Sequence, residues 1–292
     1  MLILGTQIFL GFQYRAAFER GFEGLPASSQ YLKLAGLLIL LVGVALIMSP
    51  GPYHRIVRAG SDSEDVHGFA TRVMDLALIP FILTLGIDFY VVTGKFLGMA
   101  GGIAEGAGAG AAAFFFWYGF GFLSKPRRRS QTSNKERETK PRAQPTELKD
   151  KIDQVLTEAR VVLPGAQALL GFQLITMLME GFDKLPQTSK YIHIISLSLM
   201  ALSVILLMTP AAYHRIVEAG EDTERFHRVA SMFLLVAMIP FPIGICGDLY
   251  VVFRKVTESN AIAIAASLVI LSFFYGLWFG FTAYRRRQLD KA

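Results

Sequence analysis

Long apolar segments separated by short polar stretches dominate this chain. Each segment is close to the ~20 residues that a helix needs to cross a bilayer. None shows the period-two alternation of a barrel strand, so helices are favoured. The segments cover residues 2–18, 32–50, 69–93, 97–123, 161–179, 190–210, 228–252 and 260–284. The pattern predicts an all-α membrane protein with eight transmembrane helices.

The eight segments form two sets of four. Residues 50–67, PGPYHRIVRAGSDSEDVH, return as residues 210–227, PAAYHRIVEAGEDTERFH. The offset is 160 at both histidines of the string (214 − 54 and 227 − 67). A constant offset marks an internal duplication. Because four is an even number of spans, the second copy enters the membrane from the same side, which predicts two parallel four-helix repeats.

We predict three regions along the chain. Residues 1–123 form the first membrane unit, residues 124–150 a charged linker, and residues 151–292 the second unit. The second unit opens with an amphipathic stretch, TELKDKIDQVLTEARVVLPG, whereas the first begins at once with MLILG. Either the first unit lacks this lead-in helix or its true start lies upstream.

Charge distribution predicts the orientation. The central tract KPRRRSQTSNKERETKPRAQPTELKDK and the tail YRRRQLDKA are strongly basic. Because basic loops remain in the cytoplasm, both tracts and the N-terminus are predicted to be cytoplasmic. We therefore expect a multi-pass protein of the cell membrane.

Composition narrows the function classes. Hydrophobic residues make up 53% of the chain and charged residues 18%, against ~25% charged in soluble domains. Topology accounts for the basic excess, so no nucleic-acid partner is expected. One cysteine excludes an internal disulfide and any CxxC site. We find no nucleophile elbow, HExxH or Walker loop, and expect neither catalysis nor a cofactor.

Four polar residues lie within the predicted spans at matched positions, namely Gln13 with Gln173 and Asp88 with Asp248. An ionisable residue inside a span is a functional candidate. The four could line a path for a small solute or ion. They could also hold helices together by hydrogen bonds. His193, which replaces Lys33 in the second copy, is expected at the membrane interface.

The repeated polar string is predicted to form a cytoplasmic helical hairpin. Gly60 and Gly220 suit the helix end, and Asp62 and Asp222 suit the cap of the next helix. The candidate hairpin residues are His54, Arg55 and His67 in the first copy and His214, Arg215 and His227 in the second.

Three hypotheses fit the hairpin residues. The first is structural, with an Arg55–Glu64 pair across the hairpin. The second is a metal or proton site formed by His54 and His67 with a nearby carboxylate. The third is contact with lipid phosphate or a partner protein. Separately, Gly102, Gly106 and Gly110 are spaced for close helix packing.

The strings LPGAQALLGFQL, PAAYHRI and GDLYVV resemble a family of small four-span bacterial membrane proteins, common in actinobacteria and of unknown function. The resemblance covers nearly all of each unit and implies a tandem fusion of two copies. It implies no activity, and the oligomeric state is left open.

From these observations we expect a non-enzymatic protein that moves a small solute or ion along the interface between the two repeats. The alternative is a structural module that binds a partner or lipid through its cytoplasmic hairpins. The lipid bilayer is the one partner that the sequence requires.

Overall fold

The computed structural model describes residues 2–58, 64–119, 148–218 and 221–291. These residues are almost entirely helical, and no β-strand occurs among them. The prediction of an all-helical chain with long apolar helices is confirmed for this part of the protein. The predicted helix ends at Gly60 and Gly220 and the predicted cap Asp62 lie outside the described residues.

In the first half, an apolar helix is followed by a short turn of helix, a second apolar helix, a polar extension and a long reversed segment. The helices are α1 (Leu2–Ala16), α2 (Arg20–Glu23), α3 (Ala27–Met48), α4 (Pro50–Arg58) and α5 (Glu64–Phe114), which ends in a π-helical turn at Phe115–Gly119.

The second half repeats this order. Its helices are α6 (Leu148–Thr176), α7 (Glu180–Asp183), α8 (Gln187–Ile216), α9 (Glu224–Ala237), α10 (Pro240–Thr257), α11 (Asn260–Tyr275) and α12 (Thr282–Leu289), with a π-helical turn at Gly276–Phe281 before α12. The predicted amphipathic lead-in forms the start of α6.

The cap of α9 differs from the prediction. Thr223, not Asp222, occupies the cap, and its hydroxyl accepts a hydrogen bond from the Phe226 amide at 3.0 Å. A threonine at this position satisfies an amide that the first helical turn leaves free. The prediction for Asp222 was wrong by one residue.

A glycine reverses α5. Gly98 has φ +73°, a conformation that residues with a Cβ rarely adopt. The segments on either side of it pack closely, because a Cβ added at Gly106 would lie 2.7 Å from the Gly86 carbonyl oxygen and one at Gly102 would lie 2.8 Å from that of Tyr90. The predicted close packing is confirmed for Gly102 and Gly106, whereas a Cβ added at Gly110 would lie at an ordinary contact distance of 3.9 Å from Ile82.

Within the part of the chain that the structure describes, six helical segments are long and apolar enough to cross a membrane. They are Ala27–Arg58, Asp65–Tyr118, Leu148–Thr176, Gln187–Ile216, Glu224–Thr257 and Asn260–Leu289. The second of these has 54 residues and contains the reversal at Gly98. Helix α1 has 15 residues, fewer than the ~20 of a usual span. The count of eight crossings therefore stays a prediction.

Helices α1 and α6 join the two halves. Gln7 lies against Gly165, where an added Cβ would be 1.5 Å from the glutamine Oε1. Further along, the rings of Phe12 and Phe172 lie 4.7 Å apart. These contacts advance in the same direction along both helices, so α1 and α6 run parallel. Tyr14 adds a bond across the halves by donating its hydroxyl to the Ile245 carbonyl at 2.9 Å.

Candidate functional site

In the second half, three polar side chains from three helices meet inside the protein. Gln173 of α6 donates its amide Nε2 to Asp248 Oδ2 of α10 at 2.5 Å. His193 of α8 places Nδ1 2.9 Å from the other carboxylate oxygen and Nε2 3.1 Å from the Gln173 carbonyl. All three residues are buried. The imidazole thus bridges α6 and α10, and His193 and Gln173 together give both oxygens of the buried Asp248 carboxylate a partner.

The first half contains the corresponding cluster. Gln13 of α1 hydrogen-bonds to Asp88 of α5. Lys33 of α3 places Nζ 2.5 Å from Asp88 Oδ1 and 2.6 Å from Gln13 Oε1. Each member lies 160 positions before its counterpart (173 − 13, 193 − 33 and 248 − 88). The duplication has therefore preserved a three-residue interaction rather than two separate pairs.

The basic member of each cluster was not predicted. His193 was expected at the membrane interface, but its side chain is 3% exposed and bonded to Asp248. Lys33 is likewise mostly buried against Asp88. The sequence contains a signal for this pairing. Positions 33 and 193 both carry a base at the constant offset, and an aspartate inside a span needs a partner.

The two clusters do not meet. The cavity beside Asp248 has a volume of about 10 Å³, roughly what a single water requires. Asp88 does not line it, and none of the four cavities described for this chain is lined by both aspartates. Gln13 pairs with Asp88 and Gln173 with Asp248, so each pair ties helices within its own half.

The hairpin of the first half contacts the second half. Glu158 of α6 accepts from both neighbouring bases, with His54 Nδ1 at 2.8 Å and Arg55 Nε at 3.0 Å. Arg55 Nη1 also lies 3.3 Å from His227 Nε2 and 3.1 Å from Ser231 Oγ, both on α9. The predicted hairpin residues His54, Arg55 and His227 therefore come together, although they belong to different repeats.

The expected pair of Arg55 with Glu64 stays a prediction, because the Glu64 side chain lies outside the described part of the structure. Arg55 extends to the second half, and across the first hairpin Arg58 contacts Asp65. His67 is exposed, whereas its counterpart His227 is buried. The two repeats thus use the same string in different environments.

In the hairpin of the second half, the His214 ring lies 4.4 Å from the ring of Phe226. His214 Nε2 is 3.6 Å from Asp222 Oδ1 and makes no hydrogen bond. The next residue, Arg215, is exposed, and Ile216 and Val217 are 82% and 52% exposed. Among the described residues, no carboxylate occupies the position that Glu158 takes beside His54 and Arg55.

The largest of the four described cavities lies between the repeats, beside His54 and Glu158. Its volume is about 630 Å³. Apolar walls come from both halves, including Ile47, Met74, Val162 and Leu234. Its polar lining consists of Gln154, Thr157, Asp150, Asp153, Glu158 and His54.

Two buried atoms at this cavity, Gln154 Oε1 and His54 Nε2, lack a hydrogen-bond partner among the described residues. His54 is 6% exposed and its Nε2 makes no hydrogen bond. Because a carboxylate only accepts, Nδ1 donates its proton to Glu158, and in the neutral form of the ring Nε2 is then an acceptor. A ligand with an N–H or O–H group would satisfy that atom.

No group of three or more metal-binding side chains comes together within the described ranges. The positions of His54 and His67 therefore do not support the hypothesis that the hairpin histidines form a metal site. His54 is engaged by Glu158 and faces the cavity, while His67 lies on the exposed side of α5.

Ion pairs hold the two halves together at the other end of α3. Arg20 Nε donates to Glu180 at 2.9 Å. Glu23 contacts Lys255 at 2.9 Å and Lys184 at 3.2 Å. Hydrogen bonds from Lys255 and Lys184 lower the pKa of Glu23, and the hydrogen bond from Arg20 lowers that of Glu180. These carboxylates stay ionised at neutral pH.

Comparison with known proteins gives one match, in two segments. The model of a family of unknown function, DUF6328, matches residues 1–120 and again residues 143–282. No curated protein and no solved structure matches. The expected four-span topology and bacterial origin of the family stay predictions. Because the two matches cover most of the chain, the protein belongs to the DUF6328 family and carries its domain twice in succession.

Proposed function

We propose that this protein crosses the membrane eight times, as two parallel four-helix repeats. Two observations support this topology. The 54-residue apolar segment reverses at Gly98, which would make it two crossings. Helix α1, though short, packs parallel to α6 and occupies the same place in its repeat. The basic linker and tail favour cytoplasmic termini in the cell membrane.

We propose further that the protein binds a small, mostly apolar solute in the cavity between its repeats and moves it across the membrane without chemical change. The cavity itself carries this proposal. Its volume of about 630 Å³ falls in the range of ~300–1,000 Å³ that small-molecule sites occupy. Apolar walls with a few polar groups at one end are also typical of such sites.

The polar groups favour a solute that donates hydrogen bonds. His54 Nε2 offers a buried acceptor, which costs free energy until it is satisfied. The carboxylates of Asp150 and Asp153 line the same cavity, and neither forms an ion pair with another described residue. An amphiphile with an amine at its polar end matches both features.

The contacts between the repeats at the end away from the cavity support a closed state there. Beyond the cavity, α1 and α6 are in close contact at Gly165 and Gly11, where no side chain would fit. The ion pairs of Arg20 and Glu23 then hold the opposite end. Movement of a solute would require these contacts to open, and exposed ion pairs are weak enough to exchange.

The test uses ethidium, an aromatic cation with exocyclic amines, as the probe. Full-length protein in detergent should raise its fluorescence anisotropy in a saturable way, and proteoliposomes should accumulate it. Ala70 lines the cavity, so Ala70→Trp should abolish both signals. Leu178, 87% exposed, provides the control Leu178→Trp, which should leave them unchanged.

Two results would count against the proposal. Saturable binding equal in both tryptophan variants would show that ethidium binds outside the cavity, and no binding above protein-free micelles would remove the site for amphiphilic amines. The combined variant Asp88→Asn, Asp248→Asn tests the separate hypothesis that these aspartates line a polar path for the solute. If it transports ethidium at the normal rate, the aspartates serve only to join helices.

A second candidate function is attachment to another molecule through the hairpin of the second repeat. One observation favours it: Arg215 and the apolar side chains that follow it are exposed. The first hairpin does not offer this surface, because His54 and Arg55 are buried between the repeats.

A further inference from the structure

The His193 ring lies between two groups that, when Asp248 is ionised, can only accept hydrogen bonds. Its Nδ1 is 2.9 Å from Asp248 Oδ1, and its Nε2 is 3.1 Å from the backbone carbonyl oxygen of Gln173. A neutral imidazole has one N–H group, and its other nitrogen carries a lone pair. Opposite an ionised Asp248, a neutral ring would therefore direct that lone pair at an oxygen, whichever nitrogen held the proton. One further proton is needed for both contacts to be hydrogen bonds.

Burial of the pair favours the same conclusion. The side chains of His193 and Asp248 are 3% and 6% exposed. A neutral ring beside an ionised carboxylate would bury a net negative charge, which is costly without a countercharge. One added proton makes the pair neutral, either as an imidazolium with a carboxylate or as a neutral ring that accepts from the Asp248 carboxyl group. In both forms each ring nitrogen has a hydrogen-bond partner.

The first repeat has the same neutral arrangement with a permanent charge. Lys33 Nζ lies 2.5 Å from Asp88 Oδ1, at the position that His193 takes beside Asp248. A lysine ammonium keeps its proton well above neutral pH, whereas the charge of histidine changes between about pH 5 and 8. The two repeats therefore differ at this position in one chemical respect, because only the second has a base that exchanges its proton near neutral pH.

Within the part of the chain that the structure describes, Asp248 is the one charged group in contact with the ring. Two other buried groups nearby, the Tyr14 phenol of α1 and the Cys246 thiol of α10, are uncharged at neutral pH. The charged residues of α9 lie at the other end of α8, where Phe226 contacts His214. The remaining charged residues nearby are bonded to other groups or at least partly exposed; they are Arg15 on α1, Glu180 and Asp183 on α7, Lys190 on α8, and Arg254 and Lys255 on α10.

A small cavity adjoins the pair. It is lined by Gln173, His193 and Asp248, and its volume of about 10 Å³ is roughly that of one water molecule. A single water there gives the pair a partner for proton exchange. None of the three residues lines the larger cavity between the repeats, so the site does not depend on the proposed solute.

We propose that the buried cluster of the second repeat is a proton-binding site, in which His193 and Asp248 share one proton at neutral pH and release it to water as the pH rises. Release leaves a neutral ring and an ionised carboxylate, so the buried pair becomes negatively charged. One of the two ring contacts then sets a lone pair against an oxygen. Proton binding thus holds α8 to α6 and α10, and proton loss weakens these contacts in the second repeat alone.

NMR of the uniformly isotope-labelled full-length protein in detergent tests proton binding directly. The ring nitrogens of His193 and the carboxyl carbon of Asp248 are assigned through their own backbone signals, so no variant is needed. At about pH 7.5 an ordinary histidine is roughly nine-tenths neutral. We expect at this pH either two N–H groups on the His193 ring or a protonated Asp248. A ring with a single N–H group opposite an ionised Asp248 overturns the proposal.

Exchanging the two bases tests proton release. His193→Lys gives the second cluster the chemistry of the first, and Lys33→His does the reverse. The stability of the wild-type protein should fall between about pH 6 and 9, because the folded state then binds more protons than the unfolded state. His193→Lys should reduce this slope by up to one bound proton, and Lys33→His should increase it.

The matched control is His67→Lys, the same substitution at an exposed histidine, which should leave the wild-type slope unchanged. Thermal unfolding in one detergent at a series of pH values measures all four proteins. Equal slopes for the wild type and His193→Lys would overturn the proposal, since no proton would then be released from the pair. If His193→Lys does not fold, the NMR measurement on the wild-type protein decides.

Discussion

The two arginines of the repeated string provide a test of the contact between repeats. Arg55 and Arg215 share their neighbours in sequence, but the Arg55 side chain is 1% exposed and lies against Glu158, whereas Arg215 is exposed. We compare Arg55→Gln with Arg215→Gln. The sequence context is matched, so any difference in stability reports on the inter-repeat contacts.

The structure sets the magnitude. Arg55→Gln removes the hydrogen bonds to Glu158, His227 and Ser231 at 3.0, 3.3 and 3.1 Å. It also leaves a largely buried carboxylate with only His54. Breaking a buried pair in this way costs about 3–5 kcal/mol, and the partial exposure of Glu158 places the cost near the lower end. Arg215→Gln should change stability by no more than about 0.5 kcal/mol.

Thermal unfolding of the full-length protein in one detergent, at one scan rate, measures the difference. At ~2 °C or more per kcal/mol for a chain of this size, Arg55→Gln should lower the transition by about 6 °C or more. The fixed scan rate matters because membrane proteins often unfold irreversibly.

A second variant separates lost charge from lost packing. Removing both partners, as in Arg55→Met with Glu158→Leu, should recover part of the loss, because no unpaired charge then stays buried. Equal shifts for Arg55→Gln and Arg215→Gln would refute the reasoning, since the two arginines would then have equivalent surroundings.

Three further predictions use the same matched positions. Gly11→Ala should destabilise the protein by about 1–3 kcal/mol, because its Cβ would lie 2.1 Å from Phe172, whereas Gly171→Ala, with nothing within 4 Å, should not; thermal unfolding of the pair checks this, and equal effects would contradict it. Lys33→Met should cost about 3–5 kcal/mol by leaving Asp88 unpaired, and adding Asp88→Leu should restore part of it in the same assay; a double variant less stable than Lys33→Met would be the contrary result. The lowered pKa of Glu23 contributes stability that is present above the unfolded pKa of ~4.3 and is lost as pH falls through the folded pKa. Glu23→Gln should therefore make the free energy of unfolding less dependent on pH between about pH 5 and 3. An unchanged slope would contradict this prediction.

Much of the fold follows from local sequence. Apolar length predicts the helices because a backbone in lipid must satisfy its own hydrogen bonds. The constant offset predicts that Gln13 and Gln173, and likewise Asp88 and Asp248, share an environment. It could also have identified Lys33 and His193, but a base near the end of a span usually extends its charge to the membrane surface, and that rule favoured the wrong environment.

The inter-repeat contacts could not be obtained in this way. Nothing local to Arg55 indicates a bond to Glu158, which lies 103 residues away on a helix of the other repeat. Duplication alone predicts equivalent surroundings for both copies of YHRIV. The structure differs because Glu158 of α6 lies beside His54 and Arg55 of the first copy, whereas Arg215 of the second copy is exposed.

Arg20 and Glu180 occupy the same position in the two repeats (180 − 20 = 160) and contact each other. Two separate chains, each with only the first repeat, would bring arginine against arginine at this contact. Joining the repeats in one gene removes that constraint, because mutations can then make the two sides chemically different. After the fusion, the first repeat could thus evolve to associate with the second repeat of its own chain rather than with the first repeat of another chain.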